Sequence, residues 1–179
     1  MFNLFKKKEA GTKVIDRIWM NENAKLKSFT EEWKKNNSIL YIFWFEDSFT
    51  MAASIFIKEN IQPACLAMTR EITPSAIAGK AVVFAEHHPL QEKENAIYQK
   101  LNLPQVTVWS ALDEPLFKHF GGDKIIAMMK QMGMSEDAAI EHTMISKAIQ
   151  NAQEKIAKKV IIEQPARSQT DWLKKNLPA

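Results

Sequence analysis

Apolar residues crowd together most densely in "ILYIFWF", from Ile39 to Phe45, where β-branched and aromatic side chains follow one another as in a strand buried on both faces. Upstream, Ile15, Trp19, Leu26, Phe29 and Trp33 keep helical spacing, interrupted by Asn21, Glu22 and Asn23. The spacing predicts one helix with a weak point, or two short ones. After the strand, Glu46, Asp47 and Ser48 can cap a helix that runs to Lys58 and directs Met51, Ile55 and Ile57 inward. "PACLAM" reads as a second strand. In "TREITPSAIAGK", Pro74 and Gly79 limit any helix to about two turns. "AVVFAEHH" gives a third strand. "PLQEKENAIYQKL" then opens with Pro89 in its first turn and sets Leu90, Ile97 and Leu101 on one helical face, and "QVTVWSAL" is a fourth strand.

Strands alternating with helices at this spacing predict an α/β fold, a parallel wound sheet of about four strands, because each crossover must return over a sheet face. From Pro115 the pattern becomes helical. Ile125, Ile126, Met128, Met129 and Met132 keep three-to-four spacing up to Gly133, which ends that helix. Ser135 can cap the next helix, with Glu136 and Asp137 in its first turn and a stripe through Ile145, Ile149, Ala152, Ile156 and Val160. Small Ala148 and Ala152 allow close approach, over the chain's own sheet or against a partner helix. "EQPARSQ" predicts a mobile hinge, and Thr170 and Asp171 a last turn carrying Trp172 and Leu173. The expected divisions are an N-terminal basic segment and helix (1–37), the α/β domain (38–120), a C-terminal helical extension (121–162) and a tail (163–179).

The chain has 179 residues, 46% of them apolar, which suits one filled core better than two. A net charge of +3 with 25% charged residues does not single out nucleic acid as a partner. The lone Cys65, among small apolar neighbours, reads as core filling and fits a reducing, cytoplasmic setting. "MFNLFKKK" has its apolar residues before its charges, the reverse of an export signal. Phe2, Phe5 and Lys6 to Lys8 suit weak contact with an anionic membrane surface.

Candidate chemistry is sparse. The only Gly-Lys pair, Gly79-Lys80, has Pro74 where a phosphate-cradling loop needs glycine and Ala81 where it needs Ser or Thr. His87 and His88 follow Glu86 at the carboxyl end of the third strand, where wound sheets often place ligands, but adjacent residues on extended chain point apart and chelate poorly. With Glu46 and Asp47 they form an alternative ligand site for a nucleotide or small molecule. His119 and His142 have no evident nucleophile beside them. The pliable thioethers of Met128, Met129, Met132 and Met134 suit either core packing or a surface that accepts varied apolar peptides.

"LDEPLFKHFGGDKIIAMMKQMGMSEDAAIEHTMISKAIQNAQEKI", Leu112 to Ile156, closely resembles the part of the SecA preprotein translocase ATPase family where the second RecA-like motor domain ends and the helical scaffold begins. The elements that carry the resemblance are Phe120-Gly121, Met128-Met129, Met132-Gly133-Met134, Ile140-Glu141-His142, Met144, Ser146-Lys147-Ala148-Ile149 and Asn151-Ala152-Gln153. Upstream, "AVVFAEHHPLQEKENAIYQKL" is similar to the strand and helix that in the family hold Gln-x-x-Gly-Arg-x-Gly-Arg, whose arginines reach nucleotide phosphates. Here that stretch has Glu92, Glu94 and Asn95 and no arginine.

The resemblance implies a degenerate RecA-like half followed by scaffold-like helices. The missing arginines and P-loop imply no ATP hydrolysis, since phosphoryl transfer needs cations against developing charge. One cysteine cannot make the family's zinc-binding tail. The expectation is a cytoplasmic, non-catalytic interaction module without cofactor, metal or nucleic acid. Its partner would be a protein, a Sec translocase component or a second copy, met through Met128, Met129, Met132, Ile145 and Ile149.

Overall fold

The computed structural model describes residues 11–178, so the segment expected to touch a membrane surface, Phe2, Phe5 and Lys6 to Lys8, lies outside the described residues. Five strands form one all-parallel sheet: β1 (Lys13–Trp19), β2 (Ile39–Phe43), β3 (Leu66–Met68), β4 (Ala81–Phe84) and β5 (Gln105–Ala111), in the order β1-β5-β4-β2-β3. The architecture is the α/β wound sheet with helical extension that the alternation predicts, with one strand more. Residues 13–19, expected as helix, are β1, in register with β5 from Lys13 opposite Gln105 to Trp19 opposite Ala111. The misreading has a simple origin. Ile15 and Trp19 are four apart, a spacing that fits both the period of a strand and that of a helix. The helix proper, α1 (Glu22–Lys35), starts afresh where the Asn21 side chain accepts from the Ala24 amide at 2.9 Å.

Alternation along each strand builds two cores. Tyr41, Phe43 and Trp109 face α1 and α2 (Glu46–Lys58), where they meet Phe29 and Phe56. Leu40, Ile42, Phe84, Val106 and Val108 face the other way, onto Tyr98 and Leu101 of the α3 region (α3, Gln91–Lys100). Along α2 the inward residues are Ala52 and Phe56, while Met51 and Ile57, expected inside, are exposed. Its N-cap is Phe45, with no side-chain cap of its own, so Glu46, Asp47 and Ser48 are its first turn rather than its cap. Leu90 leaves the α3 face to pack with Phe45, Leu116 and Trp172. Between β3 and β4 the chain turns without forming a helix.

The extension comprises α4 (Pro115–His119), α5 (Gly122–Gln131), α6 (Thr143–Ala157) and α7 (Gln169–Asn176). Gly133 ends α5 at φ +71°, a left-handed position that disfavours other residues. No helix starts at Ser135. The Ser135 hydroxyl accepts from the Asp137 amide in a local turn, and Ile140 instead pairs antiparallel with Ile18, covering part of the outer edge of β1. Helix α6 begins only at Thr143, capped by His142, and buries Ile149, Gln153 and Ile156 over β1 and α3. The long stripe therefore lies on the chain's own sheet. Helix α7 is capped by Ser168 and buries Trp172, while Arg167 accepts from the Asp47 amide at 3.0 Å, so the tail segment is docked on the start of α2.

Gly122, at the first turn of α5, touches the end of the sheet. A Cβ there would stand 2.2 Å from the Leu112 carbonyl oxygen. Gly122→Ala is expected to lower stability by about 1–3 kcal/mol through displacement of α5, read as a reduced urea midpoint; an unchanged midpoint would show that α5 moves freely.

Candidate functional site

Just past β4, the four residues Ala85 to His88 form a polar hub that reaches most of the molecule. The chain leaves β2 toward β3 on one side and β4 toward β5 on the other, so the crevice between the ends of β2 and β4 is the switch point where wound sheets take ligands. Glu86 fills it. Its carboxylate accepts from the Trp44 and Phe45 amides, both at 3.0 Å, and from the Ser48 hydroxyl at 2.7 Å. It thus occupies the position at the α2 N-terminus that would attract a phosphate. Burial pushes the Glu86 carboxyl above its ordinary range, opposed by Lys25, Ser48 and the two amides.

His87 points the opposite way into a second buried cluster. Its Nε2 donates to Asp16 at 2.7 Å and its Nδ1 to Glu94 at 2.8 Å, with all three side chains almost wholly enclosed. Gln153 of α6 donates to Glu94 at 3.0 Å and to the His88 carbonyl at 2.8 Å. Gln169 of α7 donates to the His87 carbonyl at 3.1 Å. An imidazole between two carboxylate acceptors must carry both protons. Burial alone would lower its pKa, but the charge of Glu94 and the hydrogen bonds to Asp16 and Glu94 outweigh it and raise the pKa to about 10. With both nitrogens engaged, the ring has no lone pair for a metal or for base catalysis.

Because the folded pKa of His87 lies above its unfolded value of about 6.5, the stabilisation is fully present below that pH and is lost as pH rises through about 10. The urea midpoint is therefore expected to fall steadily from pH 6.5 to 10. The His87 ring protons in an NMR titration should keep the charged form at pH 8; a midpoint of titration near 6.5 would contradict the double donation.

His88 faces a third environment. Its Nδ1 accepts from the Leu90 amide and its Nε2 lies 3.3 Å from Glu163, while its ring stacks on Phe45 and meets Trp44 and Trp172 edge-on. Glu163 also receives Lys93 at 2.7 Å and the Trp172 indole at 2.8 Å. The bond from His88, against burial and with help from Lys93 and Trp172, holds its carboxyl down at about 2. Glu46 and Asp47 sit apart on the surface. Glu46 pairs with Arg70 at 2.7 Å and Arg167 at 3.1 Å, and Asp47 lies 3.9 Å from Arg167. The five residues of the strand-end site are thus distributed over four separate environments rather than converging on one cavity.

The sequence reading missed a further buried pair. Lys25 of α1 donates to the Ala85 carbonyl at 3.0 Å and to Glu114, which also accepts from the Ala111 amide at 2.9 Å. Burial pushes the Glu114 carboxyl up to about 7 despite the pull of Lys25, and its second oxygen has no partner. Burial acts to lower the Lys25 pKa, but Glu114, Glu22 and Glu86 together raise it, so the ammonium stays charged. A lysine beside Leu26 on the inner face of α1 was the available signal.

The second candidate site gathers better. Met129 (5% exposed), Ile149 and half-buried Ile145 line an apolar, half-open cavity of about 190 Å³ between α4, α5, α6 and the end of β1, together with Ile18, Phe117 and Ala152. Met128 and Met132 stand on the outer side of α5, at 54% and 70% exposure, and Met144 on α6 at 72%. Of the five expected interaction residues, Met129, Ile145 and Ile149 therefore line the cavity, while Met128 and Met132 are exposed outside it. Among the described residues, no helix is long and apolar enough to cross a membrane.

No family model matches the chain. It is similar to the protein translocase subunit SecA of Acinetobacter baumannii, 35% identical over 82 residues that make up 44% of this chain and 9% of that protein. The SecA of Acinetobacter baylyi is 33% identical over 47% of this chain and 10% of its own length, and that of Psychrobacter cryohalolentis is 50% identical over 46 residues, 26% of this chain and 5% of the relative. The matches therefore span no more than a tenth of these curated relatives. The chain is a SecA-like partial homologue, with similarity covering just under half of its length.

Proposed function

We propose that this protein is a non-catalytic, cytoplasmic interaction module associated with the protein translocation machinery, and that it binds a protein through the apolar cavity of its helical extension. The single observation that carries this reading is that cavity, floored by Met129 and Ile149 and lined also by Ile145 and by exposed Phe120 and Ile125. Concave apolar surfaces with exposed aromatic and aliphatic walls and a pliable methionine in the floor suit adaptable binding of peptide side chains. The similarity to SecA supports translocation as the setting. The crevice that would otherwise hold a nucleotide is filled by Glu86, hydrogen-bonded to the Trp44 and Phe45 amides, which supports a role without ATP hydrolysis.

A photo-crosslinking residue placed at Met132, on the native protein in its own cells, is expected to capture a Sec component identified by mass spectrometry. The same purified protein is expected to release no phosphate from ATP above the rate of a buffer blank. Protein-dependent phosphate release, or crosslinks only to proteins outside translocation, would defeat the proposal.

A further inference from the structure

The segment between α6 and α7 carries the two barest large apolar side chains among the described residues. Ile161 is 96% exposed and Ile162 80%, side by side on a bend, while Val160 just before them packs onto the cluster of Phe45, Leu116, Ile156 and Trp172. A single exposed apolar residue needs no explanation. Two adjacent β-branched ones this bare do, and their near-total exposure means that no other part of the chain flanks them. The bend is a protruding tip, and neither residue lines the cavity between α4, α5 and α6.

The tip is held at both ends. Before it, the Lys159 amide donates to the Ile156 carbonyl at 2.8 Å. After it, Glu163 accepts from the Trp172 indole at 2.8 Å, the Gln164 amide donates to the Asn176 side chain at 2.6 Å, and Asn176 donates back to the Gln164 carbonyl at 3.0 Å. The isoleucines are therefore fixed outward by contacts of their neighbours with α6 and α7.

Cations stand at the base of this tip. Lys158 and Lys159 are exposed, and neither has a carboxylate within ion-pair distance among the described residues. Lys159 is two residues from Ile161, so chain length alone keeps their Cα atoms within about 8 Å. Glu163 does not offset them, because its carboxylate is turned inward and paired with Lys93 at 2.7 Å. Glu154, one turn below Lys158, is balanced by exposed Lys155 beside it. An apolar tip with a positive base matches a surface that is anionic outside and apolar just beneath, where aliphatic side chains enter the headgroup boundary and ammonium groups stay among the phosphates. Nucleic acid offers the anions without the apolar layer, and a protein would have to offer a concave pocket edged by carboxylates.

We propose that the bend at Ile161 and Ile162, with Lys158 and Lys159, docks this protein peripherally on an anionic bilayer surface. The docking point lies outside the protein-binding cavity and does not depend on that reading.

The test floats the full-length protein with vesicles of phosphatidylcholine alone and of phosphatidylcholine with about 30% phosphatidylserine. Binding is expected to the second only, and to weaken with added salt. The double variant Ile161→Ser, Ile162→Ser should lower the partition coefficient by about tenfold or more at an unchanged melting temperature, since both side chains already stand in water. Lys158→Gln with Lys159→Gln should weaken binding several-fold and flatten its salt dependence. As a second readout, an environment-sensitive fluorophore on Ile162→Cys, with Cys65 buried, should shift to the blue on the anionic vesicles. No binding, equal binding to both vesicles, an unshifted fluorophore, or full binding by the isoleucine variant would overturn the proposal. So would binding that only Phe2→Ser with Phe5→Ser removes, which assigns it to the N-terminal segment, or self-association without lipid that the isoleucine variant abolishes, which makes the tip a protein contact.

Discussion

His87→Ala is expected to lower the stability of the protein by about 3–5 kcal/mol, since it leaves Asp16 and Glu94 buried and facing each other with nothing between them. The loss has two origins. A cavity opens beneath α6, and two carboxylates lose the cation that made their burial tolerable. Gln153, which reads the outer oxygen of Glu94, loses its fixed partner as well, so the α6 anchor loosens with it. Chemical denaturation measures the cost. Adding Asp16→Asn and Glu94→Gln to His87→Ala should recover part of it, because the remaining groups are then neutral. A loss below about 1 kcal/mol for the single variant would mean that His87 is not the keystone of this cluster.

Lys25→Met should cost a similar amount, about 3–5 kcal/mol near neutral pH, by stranding Glu114 and leaving Glu86 without its nearest cation. The direction of its pH dependence is distinctive. With Lys25 in place the Glu114 carboxyl already sits up at about 7, and losing that pull raises it further, so in the variant it takes up a proton from a higher pH and the penalty shrinks as pH falls towards its unfolded range. A Lys25→Met, Glu114→Gln double variant should be more stable than Lys25→Met alone, with a coupling energy of about 1 kcal/mol or more in a double-mutant cycle. Additive effects would show that the pair does not act as one unit.

The fold was legible where the chain repeats itself and obscure where one residue decides. The buried strands β2, β4 and β5 announce themselves through runs such as Ile39–Phe43, and Gly133 marks the end of α5 by its backbone freedom. Edge strand β1 was hidden because its lone Asp16 and Arg17 break an apolar run, and both have tertiary reasons to be there: Asp16 holds His87, and Arg17 lies over the Trp19 and Trp109 rings. The break at Ser135 was misjudged because a capping residue and acidic first turn are local preferences, while the Ile18–Ile140 bridge that overrides them is a long-range contact. The same distinction explains the sites. Met129, Ile145 and Ile149 share a cavity because helical spacing already aligned them. Glu86, His87 and His88 diverge because consecutive residues leaving a strand face different neighbours, and no sequence pattern names those neighbours.

The position of β1 has a consequence for how the molecule assembles. Among the described residues its strand neighbour is β5, and Lys13 and Gln105 are separated by about ninety residues, a closure that costs roughly 4 kcal/mol of chain entropy before any pairing rewards it. During synthesis β2, β3 and β4 are complete long before that partner exists. A ribosome-bound chain halted short of Ala111 would therefore carry a three-stranded nucleus with its first strand adrift, and the groove, which needs Ile18 from β1 as part of its wall, would form only after β1 has found β5 and α6 has emerged.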